Sequence, residues 1–505
     1  MNNLFLFIRP PRPLWPFNGQ NSAFWPPLAF ASLASALRES IPEINIEIWD
    51  FPVLKMGWKT LISELKKRRP RFIGIGEEAV SCIEGLRLAK IAKELNATVI
   101  AGGCTYGNLA KPILSTGYVD YVVHNEGEIT LVNLVKTLLE NNNSSSLEKI
   151  KGISFKSDGR IIKTPPQSLI DNLDTLPIPA YDLLPMEQYG KGSKNHPNLS
   201  SIEYSRGCFD NCNFCILWRQ MGKYINGDCF PQYRSKSPER VMEEIRLLVK
   251  KYNRKYLCWV DPTFNGNSKS QEQLAEYLLK ENFKINFNAW IRADGIIRDE
   301  QNGTLEKIVS AGLNEVFIGI ENTNSENIEF LNKHNNSYDT VQRAISILRR
   351  RYPSVFVIGS FIYGFPQDTL KSIWNMQDQA LKLGLDYPFF IPLTPLPGTP
   401  YWKDEIWDDK GDNFRQFDFI SPQTDNKKNY KLSIYLYLYS LFDIRSKKIK
   451  EWIKGFFDKN PRKRRIKRRL FLRSLKFLLR ALIVYCFSRN SNKKTMIYFP
   501  RWYND

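Results

Sequence analysis

Short apolar runs rich in β-branched and aromatic residues punctuate the start of the chain: Leu4 to Ile8, Ile44 to Trp49, Phe72 to Gly76, Thr98 to Ala101 and Tyr121 to His124. Segments with helical spacing lie between them, the first being Leu28 to Leu37 behind the paired prolines Pro26-Pro27. Strand and helix in alternation predict a parallel sheet with crossover helices. The same rhythm returns later. Ser237-Pro238-Glu239 opens a helix through Leu248, with Ser237 as N-cap and Pro238 in the first turn. Strands are expected at Ile202 to Ser205, Tyr256 to Val260, Ile285 to Ile291, Glu315 to Ile320 and Val355 to Ile362. Prolines from Thr164-Pro165-Pro166 to Pro177-Ile178-Pro179 make an ordered connector between the two halves. The predicted organisation is α/β in residues 1–140, a linker in 141–195, a second α/β unit in 196–405, and a helical region in 406–505.

Parallel sheets bind ligands beyond the carboxyl ends of their strands. In the first unit those ends carry Arg9-Pro10-Pro11, Asp50, Gly76-Glu77-Glu78, Gly102-Gly103-Cys104 and Asn125-Glu126-Gly127-Glu128. Glycines there admit a bulky ligand close to the backbone, although Gly102-Gly103 also suits a plain tight turn. In the second unit the ends carry Asp261, Arg292, Asp294, Glu321, Asn322 and Gly364-Phe365-Pro366. Carboxylates suit an ammonium group and an arginine suits a carboxylate; each alone also fits an N-cap or a surface ion pair.

Composition narrows the class. At 505 residues, 43% of them hydrophobic, the chain exceeds one core and can bury more than one. Eight cysteines, five of them scattered, do not form a disulfide framework, and Met1-Asn2-Asn3 lacks the basic start of a secretory signal. A cytoplasmic protein is expected. The net charge of +20 is concentrated: Arg445 to Lys494 holds 19 Lys/Arg against Glu451 and Asp458. That distribution assigns an acidic partner to the tail alone.

The densest chemistry is Arg206-Gly207-Cys208-Phe209-Asp210-Asn211-Cys212-Asn213-Phe214-Cys215. Three thiolates hold three irons of a [4Fe-4S] cube and leave the fourth open for another ligand. A zinc knuckle needs four ligands. The histidines are His124, His196 and His334, none close in sequence, although His196 could reach the triplet through the fold.

The C-x3-C-x2-C spacing, with Phe214 before the last cysteine, resembles the signature of the radical S-adenosylmethionine (SAM) family. In that family SAM chelates the unique iron and is cleaved to a 5′-deoxyadenosyl radical. Asp261-Pro262-Thr263-Phe264, Gly319-Ile320-Glu321, Gly364 to Thr369 and Pro395 to Pro400 are similar to further motifs of its partial (β/α)6 barrel. The resemblance implies Asp261 near the SAM amino group, Glu321 and Arg292 at SAM polar atoms or substrate, and the backbone of Ile362 to Gly364 at adenine. Residues 1 to about 140 resemble the Rossmann-like cobalamin-binding domain that precedes such cores, implying cofactor contacts at Asp50, Gly102, Gly103, Glu126 and Gly127. The Asp-x-His-x-x-Gly motif of histidine-ligated cobalamin enzymes is absent, so cobalamin is expected without a histidine ligand.

The resemblance implies a cobalamin-dependent enzyme that methylates or otherwise modifies an unactivated carbon of a hydrophobic, lipid- or isoprenoid-like substrate, with flavodoxin or ferredoxin as reductant. A ring-forming or oxidative cyclase is the enzymatic alternative, and a non-catalytic iron-sulfur electron carrier the alternative of another class. The tail mixes Lys and Arg with Ile453, Phe456-Phe457, Leu470-Phe471-Leu472, Leu475 and Leu479, the pattern of an interfacial membrane helix. Ala481 to Phe487 is too short to span a bilayer. A peripheral position on an anionic membrane is expected, with a helical cap on the barrel or an RNA-binding arm as rivals. The RNA reading suits a methylthiotransferase relative, but such enzymes carry a second cysteine triplet and only Cys82 and Cys104 occur in the first unit.

Overall fold

The computed structural model describes residues 3–14, 25–76, 78–140, 144–333, 337–403, 431–433, 435–436, 453–483 and 499–505. The expectations on Glu77, on His334 and on the tail at 445–452 and 484–498 fall outside them.

The first sheet contains β1 (Leu4–Arg9), β2 (Asn45–Asp50), β3 (Phe72–Ile75), β4 (Thr98–Ala101), β5 (Tyr121–Val123), β6 (Ile153–Ser157) and β7 (Arg160–Lys163), in the order β2-β1-β3-β4-β5-β6-β7. β1 to β5 pair in parallel. Both of its faces are covered by helices, so the central strands are apolar throughout rather than alternating. β3 packs closely because Gly74 sits opposite Phe7; a Cβ there would stand 2.7 Å from the Phe7 ring and 2.9 Å from that of Phe5.

β6 and β7 correct the expected linker: they add an antiparallel hairpin to the sheet's edge within residues 141–195. Their two-residue turn is Asp158-Gly159, with φ of 48° and 77°. Aspartate followed by glycine favours such primed turns, because both central residues need positive φ. Beyond β7 the connector runs through short turns. Tyr189 and Tyr181 anchor it, donating to Asp50 at the end of β2 and to Glu244 in the helix Pro238–Arg246.

The second sheet consists of β8 (Leu199–Ile202), then, after the excursion described next, β13 (Tyr256–Trp259), β14 (Asn286–Ile291), β15 (Leu313–Glu321), β16 (Phe356–Tyr363) and β17 (Tyr387–Pro392). Every pairing is parallel and the spatial order follows the sequence. The expected strand Ile202 to Ser205 divides in two. β8 ends at Ile202, and β9 (Ser205–Gly207) leaves the sheet to pair antiparallel with β12 (Tyr233–Ser235), around the cysteine loop and a hairpin of β10 (Lys223–Ile225) with β11 (Asp228–Phe230). Ser237 caps its helix as expected, accepting from the Arg240 N–H at 3.2 Å, with Pro238 in the first turn.

Parallel strands put all their carboxyl ends on one edge. The opposite edge is closed by the helix Pro461–Leu482, where Arg462 donates to Asn314 O at 2.9 Å and Glu315 at 3.0 Å, while Lys463 and Lys467 reach Asp386 at 2.9 and 2.8 Å. The first turns of this basic helix are therefore a cap on the second sheet.

Candidate cofactor site

The cysteine loop starts from a backbone that only glycine adopts comfortably. Gly207 has φ +84° and a Cβ there would collide with the Gln232 carbonyl. Its N–H points to Met221 Sδ at 3.1 Å. Two of the three thiols then meet separate donors. Thr263 Oγ1 donates to Cys208 Sγ at 3.2 Å. The backbone N–H groups of Leu217 and Trp218 are directed at Cys215, although burial dominates and pushes that thiol up to about 11. Burial also pushes Cys212 up, while Lys333 draws it the other way.

A second segment clamps the loop from outside. Asn213 N–H donates to Leu331 O at 2.9 Å, Asn213 Nδ2 to Phe330 O at 3.1 Å, and Asn332 Nδ2 to Asn211 Oδ1 at 2.8 Å. Lys333 follows, donating to Glu321 Oε1 at 2.7 Å and Gly319 O at 3.0 Å. Glu321 stands at φ +65° beside a shift in the β15–β16 register, which turns its side chain to Lys333 and to Ser360 Oγ at 3.2 Å.

Arg292, just past β14, forms a two-point pair with Asp294 at 3.0 and 2.8 Å and a short contact with Asp210 of the cysteine loop. Asp261, just past β13, accepts at Oδ1 from the Tyr204 N–H at 3.0 Å, the Ser205 N–H and the Ser205 hydroxyl at 2.7 Å. Its Oδ2 is buried with no hydrogen-bond partner among the described residues, and burial is the main reason the carboxyl is pushed up to about 7. An orphaned buried carboxylate oxygen at the strand ends is suited to a cationic donor. Gly364, at φ +99°, donates its N–H to Asp368 Oδ2 at 2.7 Å.

The first sheet contributes to the same edge. Gly102 caps the helix Gly103–Asn108, and Gly103 has φ +83° with open space where a side chain would stand. Cys104 on this turn is pushed up to about 12, by burial and then by Cys215 across the junction. A Cβ on Gly398 would press on Asn108 and stand 2.8 Å from Ile216. Three segments far apart in sequence, Gly102 to Asn108, Cys208 to Ile216 and Pro395 to Pro400, therefore converge.

The carboxylates of the first unit go elsewhere. Asp50 is enclosed between Arg9, at 2.8 Å from Nε, and the Tyr189 hydroxyl, at 2.6 Å. Glu126 accepts from Arg234 at 2.9 and 3.1 Å, Arg206 at 3.2 Å and the Ile170 N–H at 2.9 Å. Burial opposes its ionisation, yet the two guanidiniums hold its carboxyl below the ordinary value. Arg206 also reaches Glu128 at 2.6 Å and Glu203 at 3.0 Å. Gly127 is a packing requirement, since its Cβ would stand 2.9 Å from Leu33.

The histidines separate. His196 lies at the opposite edge, 3.4 Å from Glu315, so the thought that it could reach the cysteines is corrected. His124 is buried, with Nε2 2.8 Å from Ser154 Oγ, and burial aided by Lys163 lowers it to about 4. The unfolded chain takes up this proton near the ordinary 6.5 and the folded one near 4, so stability at this position falls as pH drops between those values. His124→Gln is expected to flatten that part of the unfolding-versus-pH curve, measured by thermal melts from pH 7 to 4.

Among the described residues, no three His, Cys, Asp or Glu side chains gather for a single metal ion. A cube spreads its thiolates over separate irons. Three thiols with N–H and O–H donors aimed at two of the sulfurs fit that arrangement.

The fold is built on parallel sheets, with the cysteine loop and the candidate site residues gathered at the strand ends. Residues 202–380 match the model of the radical SAM superfamily. The chain is 32% identical over 409 residues to an uncharacterised methyltransferase of Pyrococcus horikoshii, spanning 79% of this chain and 82% of that protein. It is 24% identical to the anaerobic magnesium-protoporphyrin IX monomethyl ester cyclase of Rubrivivax gelatinosus (79% and 69% covered) and 27% identical to the hopanoid C-3 methylase of Methylococcus capsulatus (61% and 55%). Among solved structures, the radical SAM methyltransferase TsrM of Kitasatospora setae, with cobalamin and a [4Fe-4S] cluster bound, has a similar fold, with a TM-score of 0.60, 17% identity, and 79% and 74% of the chains covered. The chain belongs to the radical SAM superfamily. Its family cofactors are a [4Fe-4S] cluster and SAM.

Proposed function

We propose that this enzyme is a cobalamin-dependent radical SAM methyltransferase acting on an unactivated carbon of a hydrophobic substrate. The first sheet, β1 to β7, forms the Rossmann-like cobalamin domain, 164–195 the linker, 196–405 the partial (β/α)6 core, and Pro461–Leu482 a basic helix beyond it. The carrying observation is the convergence of Gly102–Asn108 with the cysteine loop, because a group held at the first sheet's carboxyl edge then stands against the second. When bound, the cluster supplies the electron that cleaves SAM and cobalamin supplies a transferable methyl group.

Cys208, Cys212 and Cys215 hold the cluster, and the donors from Thr263, Leu217 and Trp218 stabilise thiolate charge that burial alone disfavours. The free Oδ2 of Asp261 receives the SAM ammonium. Arg292, Glu321 and Lys333 arrange alternating charge for SAM's polar atoms and substrate, and the turn at Gly364, its N–H held by Asp368, would lie beside adenine. Gly102 and Gly103 let cobalamin approach the backbone. His124, hydrogen-bonded to Ser154 within the first unit, would not serve as a ligand to a bound cobalamin. Names of relatives that act on hopanoid and porphyrin-ester frameworks support the hydrophobic substrate. Flavodoxin or ferredoxin is the reductant.

The cyclase reading has the ester-cyclase relative in its favour. Anaerobic incubation with methyl-labelled SAM, cobalamin, a low-potential reductant and apolar extract of the expressing cells separates the two. Methyl transfer yields S-adenosylhomocysteine beside 5′-deoxyadenosine and puts label into the apolar fraction. A cyclase yields no S-adenosylhomocysteine, and that result would overturn the proposal.

A further inference from the structure

The helix Pro461–Leu482 serves two different surroundings along its length. Every charged residue in it is Lys or Arg. In its first turns the inward side is tied down: Lys463 and Ile466 are buried, and Arg349, Lys463 and Lys467 surround Asp386, drawing its carboxyl down to about 2 although burial opposes them. Phe471 stacks edge-on with Phe456 at 5.1 Å, and Ala481 is buried. The helix is thus held along its inner side.

Its outer side is the reverse of what a cap requires. Leu472, Leu475, Leu479 and Ile483 are 58, 42, 51 and 65% exposed. Spacings of three and four place them on one stripe, about 16 Å long at 1.5 Å per residue. Arg465 and Arg468, also exposed, continue the stripe toward the N-terminus, and Lys476 flanks it. Phe457, in the turn beside Arg468, is 74% exposed. A helix that only closed a sheet would turn these aliphatics inward and its arginines outward. Nucleic acid would satisfy the cations and leave the aliphatic row in water. A surface that takes apolar side chains between negatively charged groups satisfies both.

We propose that the outer stripe of this helix, Arg465 and Arg468 leading into Leu472, Leu475, Leu479 and Ile483, lies on an anionic lipid bilayer. The contact is interfacial: among the described residues no helix is long and apolar enough to cross a membrane. The aliphatic row enters the boundary between headgroups and acyl chains, and the cations engage anionic headgroups. The edge that carries the cysteines faces away from this cap, so docking leaves it open. The inference stands independently of methyl transfer.

The test uses the full chain and vesicles of phosphatidylcholine with or without phosphatidylglycerol, in a sedimentation assay. Wild-type protein is expected to sediment with the anionic vesicles and to be released from them as salt rises. The combined variant Leu472→Gln, Leu475→Gln, Leu479→Gln is expected to bind at least tenfold more weakly, with an unchanged melting temperature and unchanged SAM cleavage in solution. Arg465→Gln with Arg468→Gln is expected to weaken the preference for anionic vesicles. Equal binding by the triple-glutamine variant would overturn the proposal, as would wild-type protein that ignores both vesicles. A clear fall in the triple variant's melting temperature without vesicles would show that the stripe packs against the chain itself, and would also overturn it. So would competition by RNA that survives loss of the leucines.

Discussion

Cys215→Ala is expected to give a folded protein that loses cluster iron on anaerobic reconstitution and no longer cleaves SAM to a detectable extent. Desolvation pushes this half-buried thiol up to about 11, so the thiolate forms only where something rewards its charge. Metal ligands must be deprotonated, which couples cluster assembly to proton release. The Leu217 and Trp218 N–H groups already point to that sulfur; in the alanine variant they lose this acceptor. Cys208→Ala and Cys212→Ala are expected to behave alike, because removing any one leaves two of three irons anchored. Iron per chain and 5′-deoxyadenosine, measured beside far-UV circular dichroism, check the result. Full iron content in any single variant would remove that cysteine from the ligand set.

Arg206→Met is expected to cost about 3–5 kcal/mol of stability, the range for stripping one partner from a buried ion pair. Arg206 is buried one residue before the cysteine loop, and its guanidinium reaches Glu126 and Glu128 just beyond β5 of the first sheet and Glu203 just beyond β8 of the second. Glu126 keeps Arg234 when Arg206 is gone, but Glu128 and Glu203 lose this partner. Glu128→Gln should therefore be milder than Arg206→Met, and the pair together less than additive, since the substitutions share one contact. Urea unfolding of the four proteins completes the cycle. The same arginine fixes the start of the cysteine loop relative to the first sheet, so weaker cluster retention is expected to accompany the loss of stability. Additive effects would show that the contact carries no coupling.

Much of this architecture was legible before the fold was known, for local reasons. β1 and β3 are apolar runs buried on both faces, and the Ser237-Pro238 cap is a short-range signal. The edges were harder. β17 reads Tyr-Pro-Phe-Phe-Ile-Pro, and its prolines argue against a strand unless it lies at an edge, which is where it lies. β6 and β7 hid inside a presumed linker, although Asp158-Gly159 between two apolar pairs is a hairpin signal.

The site divides in the same way. The cysteine triplet, Asp261 and Arg292 were visible from spacing and strand ends, but the engagement of Asp50 and Glu126 was not. Their partners stand far off, Tyr189 at 139 residues from Asp50 and Arg234 at 108 from Glu126. Lys333 escaped notice because nothing around it in sequence marks it, and its meaning comes from Glu321 and Cys212. The tail was read as one amphipathic segment. The structure divides the described part into ion-paired turns against Asp386 and an outward apolar stripe, a distinction that charge counting could not make.

The central claim is that cobalamin is held at the first sheet's carboxyl edge beside the cysteine loop, without a histidine on cobalt. Electron paramagnetic resonance of the purified full chain loaded with cob(II)alamin tests it most directly. The expected result is about one cobalamin retained per chain, a signal without nitrogen splitting from an axial histidine, and no change in it on His124→Gln. Failure to retain cobalamin, or nitrogen splitting that disappears with His124, would contradict it.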